Sequence, residues 1–332
     1  MKTTALGIEN LCVPCHSHCR YCLLSSCGKT DGVDYERGKR IAERLIKEAR
    51  QTQPDFHVYY YVGYCMDDER LLDYIRFSQE YNGPSARFLQ LNGLRLRSEK
   101  ETENLMDSIC TAGIETIDLT FYGTEEYHDR FAGRPGDFKF LINILKSARN
   151  TDLQIHCSCP IHKENSDQID ELLNILKTLG CDDISVFIPH GKGRGRCLDP
   201  LRLTLDDYEK LSEDVKACMG TFRTEKEWLA ADYDSESHSR VLTLVLKQDN
   251  IDLLEQMTLP EIIHYLEKLD DKYYETIPPV NELMYQYGRR DGTRLYRRFR
   301  DLHLEWQQKY LDQCNEEIWD MNDETHHFSI RA

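Results

Sequence analysis

From residue 5 to about residue 190 the apolar positions switch repeatedly between a period of two and a period of 3.6. Segments rich in Ile, Val, Tyr, Phe and Leu predict strands at Ala5–Leu11, Phe56–Val62, Ala86–Leu91, Glu115–Phe121, Leu153–Cys159 and Asp183–Pro189. Helical patterns lie between them. Asp34 is placed to cap the first, which buries Ile41, Leu45, Ile46 and Ala49; the second carries Leu71, Leu72 and Ile75 and stops at Asn82-Gly83-Pro84. The third opens with Ser98 and Glu101, a pair in which each side chain satisfies the other residue's backbone N–H. The fourth starts at Asp137, and the fifth runs from Ser166 to Gly180. Six strands alternating with helices imply a parallel sheet with right-handed crossovers. Six units are too few for a closed eight-unit barrel, so the expected fold is α/β, a partial (β/α)6 TIM-like open barrel. Ligands then belong at the carboxyl ends of the strands.

The pattern changes after Gly191-Lys192-Gly193-Arg194-Gly195 and becomes mostly helical, over Thr204–Met219, Leu259–Leu269, Val280–Tyr287 and Leu295–Tyr310. Val241–Leu246 reads equally as a strand or a buried helix. The expected organisation is a core domain over residues 1–203 and a mainly helical C-terminal extension over 204–332, ending in a loose polar tail from Asp320.

The chain has 332 residues, with 42 Lys+Arg against 58 Asp+Glu and a net charge of −16. That sign disfavours nucleic acid and an anionic membrane surface as partners, since both select an excess of Lys and Arg. No run approaches the apolar length of a membrane span, and no secretory signal is visible. The 13 Cys are too many and the chain too long for a small secreted disulfide scaffold. A reducing cytoplasm is the expected location, where a cysteine-rich chain more often binds metal than forms disulfides.

Beyond the first strand stands Cys12-Val13-Pro14-Cys15-His16-Ser17-His18-Cys19-Arg20-Tyr21-Cys22. Cys15, Cys19 and Cys22 form C-x3-C-x2-C with an aromatic residue before the last Cys, a spacing that 13 cysteines produce by chance roughly 2% of the time. Adding Cys12 gives C-x2-C-x3-C-x2-C, which also suits structural zinc with His16 and His18 as further ligands, although a three-residue spacer is cramped for a zinc ribbon. The loop resembles that of the radical S-adenosylmethionine (SAM) enzymes, and especially of their peptide-modifying maturase branch.

The resemblance implies a 4Fe–4S cluster on Cys15, Cys19 and Cys22, with one iron left open for SAM. It also implies reductive cleavage of SAM to a 5′-deoxyadenosyl radical, hydrogen abstraction from a peptide or small-molecule substrate, and an electron donor such as flavodoxin or ferredoxin. Further segments resemble the family's SAM-binding turns. Tyr21 would pack near the adenine. Gly63, after the second strand, stands where a Gly-Gly-Glu-like turn receives the SAM amino group. Leu91-Asn92-Gly93 resembles a Thr-Asn-Gly turn, which brings in Asn92. The run from Asp118 through Thr120 and Tyr122 to His128-Asp129-Arg130 and Arg134 resembles an S-x-D-G…H-D…R-G segment, with Tyr122 replacing the usual Asp. Thr120 and Arg134 are its SAM candidates, and Ile188 at the end of the sixth strand would present backbone to adenine. No catalytic residue is assigned.

A cysteine-rich auxiliary-cluster domain is not expected, because beyond Cys197 only Cys218 and Cys314 remain. Cys157 and Cys159 share one sheet face and read as core packing before hydrogen-atom donors. Arg289, Arg290, Arg294, Arg297, Arg298 and Arg300 are spaced to leave several on one helical face, as a solvated surface or a dock for an acidic substrate. The alternative to an enzyme is a zinc- or iron–sulfur-binding structural or interaction protein on the same barrel, without SAM turnover.

Overall fold

A computed structural model describes residues 2–22, 31–53, 55–63, 65–181, 183–191, 193–231 and 239–314, with the side chains of residues 84, 85, 193, 194 and 239 left aside. The expected polar tail, Tyr64 and Lys192 lie outside the described residues. Seven parallel strands form the wall. In chain order these are β1 (Lys2–Asn10), β2 (His57–Val62), β3 (Phe88–Gln90), β4 (Thr116–Thr120), β5 (Gln154–Pro160) and β6 (Asp183–Phe187). After a two-residue strand, β7 (Arg223–Thr224), comes β8 (Ser239–Val245). The strands order as β2-β1-β8 and β3-β4-β5-β6, two parallel sheets that make an open barrel and not a closed one.

The helices between strands are α1 (Tyr35–Thr52), α2 (Leu71–Tyr81), α3 (Glu99–Thr111), α4 (Glu125–Ala132), α5 (Asp137–Ala148) and α6 (Ile169–Thr178). Their ends follow the sequence signals. The Asp34 carboxylate accepts from the backbone N–H groups of Glu36 and Arg37, and Ser98 and Glu101 close a reciprocal capping box. The apolar period of two explains the strands. Leu6 and Ile8, Val58 and Tyr60, Ile117 and Leu119, and Ile155 and Cys157 face the helices and merge into one core. Cys157 and Cys159 are both fully buried there, as core packing requires.

The opposite strand faces are polar. Asp118 accepts hydrogen bonds from Ser158 at 2.9 Å and from His156 at 2.5 Å. The Asp118 hydrogen bond raises the His156 pKa despite partial burial. His57, Tyr59 and Tyr61 stack in succession along β2, with ring centroids 6.0 and 6.3 Å apart.

After β6 come α7 (Leu205–Glu209), α8 (Glu213–Cys218), α9 (Glu225–Ala230), α10 (Ile251–Leu254), α11 (Leu259–Thr276), α12 (Val280–Tyr287), β9 (Leu295–Tyr296) and α13 (Phe299–Leu311). Val241–Leu246 resolves as strand: β8 lies parallel beside β1, with Ala5 opposite Val241 and Glu9 opposite Val245. Residues beyond 203 therefore supply an edge of the barrel wall. Two helical expectations are corrected. Thr204–Met219 divides into α7 and α8 because Ser212 accepts from the Val215 N–H and starts a new helix. Leu295–Tyr310 begins as β9, paired antiparallel with β7, before α13 starts. Arg289, Arg290, Arg294 and Arg297 therefore precede the helix and do not share a helical face.

Candidate active site

The cysteine loop leaves the carboxyl end of β1 and is held from beneath by α4. His18 N–H donates to Ala132 O at 2.8 Å, Arg20 N–H to Phe131 O at 2.9 Å, and His16 N–H to Gly93 O at 2.8 Å. The last carbonyls of a helix lack intrahelical partners, so the loop and the helix end complete each other. Gly133 follows in the left-handed conformation at φ 62°, and a Cβ there would stand 2.7 Å from His18 Cβ. Only glycine supplies both that backbone geometry and the space for the loop.

Within the loop, Cys15 Sγ accepts from the Ser17 N–H at 3.4 Å, and Cys22 N–H donates to Cys19 O at 3.1 Å. The Tyr122 hydroxyl donates to Cys19 Sγ at 3.3 Å. Burial pushes the Cys19 thiol up to about 12, against the Tyr122 hydrogen bond, and the charges of Cys15 and Cys22 push the same way as burial. Those three sulfurs therefore form one electrostatic group. Cys12 belongs elsewhere: its thiol is raised to about 11 by burial and by Asp68, and it acts on Cys65.

A buried polar chain runs behind the loop. The Tyr122 N–H donates to His128 Nδ1 at 3.1 Å, which fixes the proton on Nε2, facing Asp137 Oδ2 at 3.2 Å. Asp137 also pairs with the Arg134 guanidinium, whose remaining arm donates to Leu94 O. Burial alone would raise Asp137; the His128 hydrogen bond and the Arg134 charge outweigh it and hold the carboxyl below its usual range. Asn165 completes the frame by donating to Tyr122 O at 2.8 Å. Asp129 accepts from the Gly136 and Phe138 N–H groups, which caps the start of α5.

The residues singled out in the sequence divide into two kinds. Thr120, Gly63 and Ile188 lie at or just beyond strand ends, and Tyr21 lies on the cysteine loop. The Tyr21 ring stands 5.6 Å from Tyr122 and 5.5 Å from Phe131, Thr120 closes β4, and Ile188 is buried just after β6. Gly63 donates to Asn10 O at 3.0 Å, and a Cβ on it would meet Leu11 Cδ2 at 2.4 Å. Asn92 and Arg134 instead spend their side chains inside the protein. Asn92 donates to Thr120 O at 2.9 Å and accepts from Thr120 N–H at 2.6 Å, extending the β3–β4 pairing, while Arg134 is taken by Asp137 and Leu94.

The sequence reading missed His128 and Asp137 as one unit, and it missed α4 itself. The signals were present: Thr124 at a cap position, Glu125 and Glu126 in the first turn, and Gly133 just past the end.

Three thiols of the right softness stand together on one short loop, which suits an iron–sulfur cluster by donor chemistry. Ser17 Oγ, buried within the same loop, has no hydrogen-bond partner among the described residues and is available to a bound group. Among the described residues no three His, Cys, Asp or Glu side chains already stand at metal-holding separations. The fit thus lies in the kind of the donors and their placement on one short loop.

No protein-family model matches the chain. Over 111 residues it is 26% identical to the AdoMet-dependent heme synthase of Methanosarcina barkeri, a stretch covering 33% of this chain and 31% of that one. SuiB of Streptococcus suis, in a structure bound to the precursor peptide SuiA, superposes with a TM-score of 0.50 at 13% identity, covering 77% of this chain and 62% of SuiB. The fold is similar to that of solved radical SAM structures. AdoMet-bound anSMEcpe superposes at a TM-score of 0.48 and 14% identity, covering 93% and 97% of the two chains. The chain matches about a third of the heme synthase and under two thirds of SuiB. In this fold the cysteine loop sits at the carboxyl end of β1, where ligands of parallel α/β sheets bind. Among the described residues no helix is long and apolar enough to cross a membrane.

Proposed function

We propose that this protein is a radical SAM enzyme in which Cys15, Cys19 and Cys22 hold a 4Fe–4S cluster and SAM binds beside it at the strand ends. The observation that carries this reading is the docking of the three-cysteine loop, by three backbone hydrogen bonds, onto α4 and Gly93. When bound, the cluster supplies the electron that splits SAM into methionine and a 5′-deoxyadenosyl radical, the species that abstracts hydrogen from substrate. The protein's part is placement. The loop backbone fixes the three sulfurs relative to α4, and the Tyr21 ring offers an aromatic wall. Gly63, Thr120 and Ile188 offer backbone at the strand ends. Asn92 and Arg134 act one step back, Asn92 by fixing the Thr120 backbone and Arg134 by fixing Asp137.

The substrate is a peptide or a small molecule received on the polar strand face that carries Asp118, His156, Ser158, Tyr59 and Tyr61. SuiB, with its bound precursor peptide, supports the peptide reading. Electrons would come from a flavodoxin- or ferredoxin-type donor.

Anaerobic reconstitution tests the proposal. The expected result is about four irons and four sulfides per chain, and 5′-deoxyadenosine formed with dithionite and SAM. Cys15→Ala, Cys19→Ala and Cys22→Ala each abolish both, while Cys12→Ala, whose thiol neighbours Cys65, leaves both intact. One zinc per chain and no deoxyadenosine would overturn the reading in favour of a structural metal protein. Loss of iron in Cys12→Ala would overturn the assignment of the three ligands.

A further inference from the structure

The Tyr122 hydroxyl has one short contact that the proposed function does not use, its hydrogen bond to Cys19 Sγ at 3.3 Å. We infer that Tyr122 tunes the cluster's reduction potential upward by donating this hydrogen bond to the Cys19 thiolate. The inference rests on the proposal above that Cys19 is a cluster ligand.

The geometry is built and enclosed. Tyr122 is 4% exposed and sits in an aromatic cluster with Tyr127, Phe131, Tyr21 and the Cys19 side chain. Its backbone is fixed on both sides, the N–H by His128 and the C=O by Asn165. The ring packs 4.6 Å from Phe131 and 5.0 Å from the His128 imidazole. The hydroxyl therefore has little freedom to leave the sulfur. The Tyr21 hydroxyl is the competing acceptor for its proton. An ionised sulfur outcompetes a neutral hydroxyl, because hydrogen bonds to charged acceptors are roughly twice as strong as neutral ones.

The direction of the effect follows from charge. One electron from an external reductant adds to the cluster and makes it more negative by one. A donor aimed at a ligand sulfur stabilises the reduced, more negative form more than the oxidised one. Hydrogen bonds to the sulfurs are among the determinants of cluster potential, and burial strengthens this one by excluding water. Tyr122 is a positioning residue in this sense: it acts through Cys19 and not on SAM or substrate.

The test is a dithionite titration of the reconstituted protein without substrate, with the reduced cluster read by electron paramagnetic resonance. In Tyr122→Phe, iron and sulfide contents stay at the wild-type value while the reduced-to-oxidised ratio at a fixed applied potential falls about three- to tenfold, tenfold being about 59 mV for one electron. Replacing Tyr122 with 3-fluorotyrosine, a stronger donor of nearly the same shape, raises that ratio. Ratios equal to wild type in both variants overturn the inference and leave the proposed function standing. Should Tyr122→Phe lose its iron, the fluorotyrosine protein decides alone, a raised ratio supporting the inference and an unchanged one overturning it. If the wild-type protein takes up no cluster, the proposed function fails and this inference fails with it.

Discussion

Two buried polar networks in this protein use the same components to different ends. Behind the cysteine loop, Arg134, Asp137 and His128 link in series and terminate on the Tyr122 backbone, one residue's width from Cys19. In the C-terminal region, Arg294 binds Glu225 and Glu305, and Glu305 also receives the Tyr296 hydroxyl and Lys309. Each joins short elements that could not bury enough apolar surface alone. The first ends beside the cysteine loop. The second closes on itself, tying α9 and α13 to β9 with Arg202 stacked 4.3 Å over Tyr296. A buried ion pair is thus no mark of function by itself; what its free end touches decides.

The contrast breaks most sharply at Arg294. Arg294→Met leaves Glu225, fully buried, and Glu305 without their main counter-charge. Removing one partner of a buried pair costs about 3–5 kcal/mol. The expected outcome is a large fall in the urea midpoint with unchanged iron uptake. A parallel loss of iron would show that the C-terminal network also supports the cysteine loop.

A smaller change should have the opposite signature. Gly133→Ala forces a left-handed backbone on alanine, at about 1–2 kcal/mol, and sets its Cβ against His18. Reconstituted iron should fall well below the wild-type stoichiometry while the urea midpoint moves less than in Arg294→Met. Full iron occupancy in Gly133→Ala would show that the loop tolerates displacement from α4.

Acid should distinguish the regions most gently. Burial lowers His162 from 6.5 to about 4. Its Nδ1 accepts from the Glu164 N–H and its Nε2 meets the Tyr127 hydroxyl on α4. The unfolded chain takes up the proton first, so this contribution is complete above about pH 6.5 and is lost as pH falls towards 4. At 1.4 kcal/mol per pKa unit, the loss by about pH 5.5 is roughly 1 kcal/mol. Burial lowers His303 of α13 to about 4 as well, so the measurement is the change that His162→Gln makes. The drop in melting temperature between pH 7 and pH 5.5 should shrink in that variant; an undiminished drop would assign the acid sensitivity to His303. Glu305 belongs to a lower window. Burial would raise it, but Arg294, Lys309 and Tyr296 pull it down to about 2, so its contribution fades only as pH falls from 4.5 towards 2.

Much of the barrel was legible because its signals are local. Asp34, Ser98 and Asn82 mark helix ends through bonds that span only a few residues, and the alternation in β2, β4 and β5 follows from one face being buried. Short elements were harder. The eight residues of α4 offer two turns of pattern, and β9 offers two residues whose strand character comes only from pairing with β7. Arg134 shows the limit for side chains. Its sequence context made it a SAM candidate, and its guanidinium lies on the Asp137 carboxylate of the same chain.

By itself the sequence determined the cysteine spacing and the order of the six strands along the first 190 residues. These depend on neighbours a few positions apart, where periodicity and caps act. Only the tertiary structure decided that β8 joins β1, that α4 carries the cysteine loop, and that Tyr122 meets Cys19 across 103 positions of chain. Such contacts arise when distant segments compete to bury the same surfaces, and no local pattern encodes which of them wins.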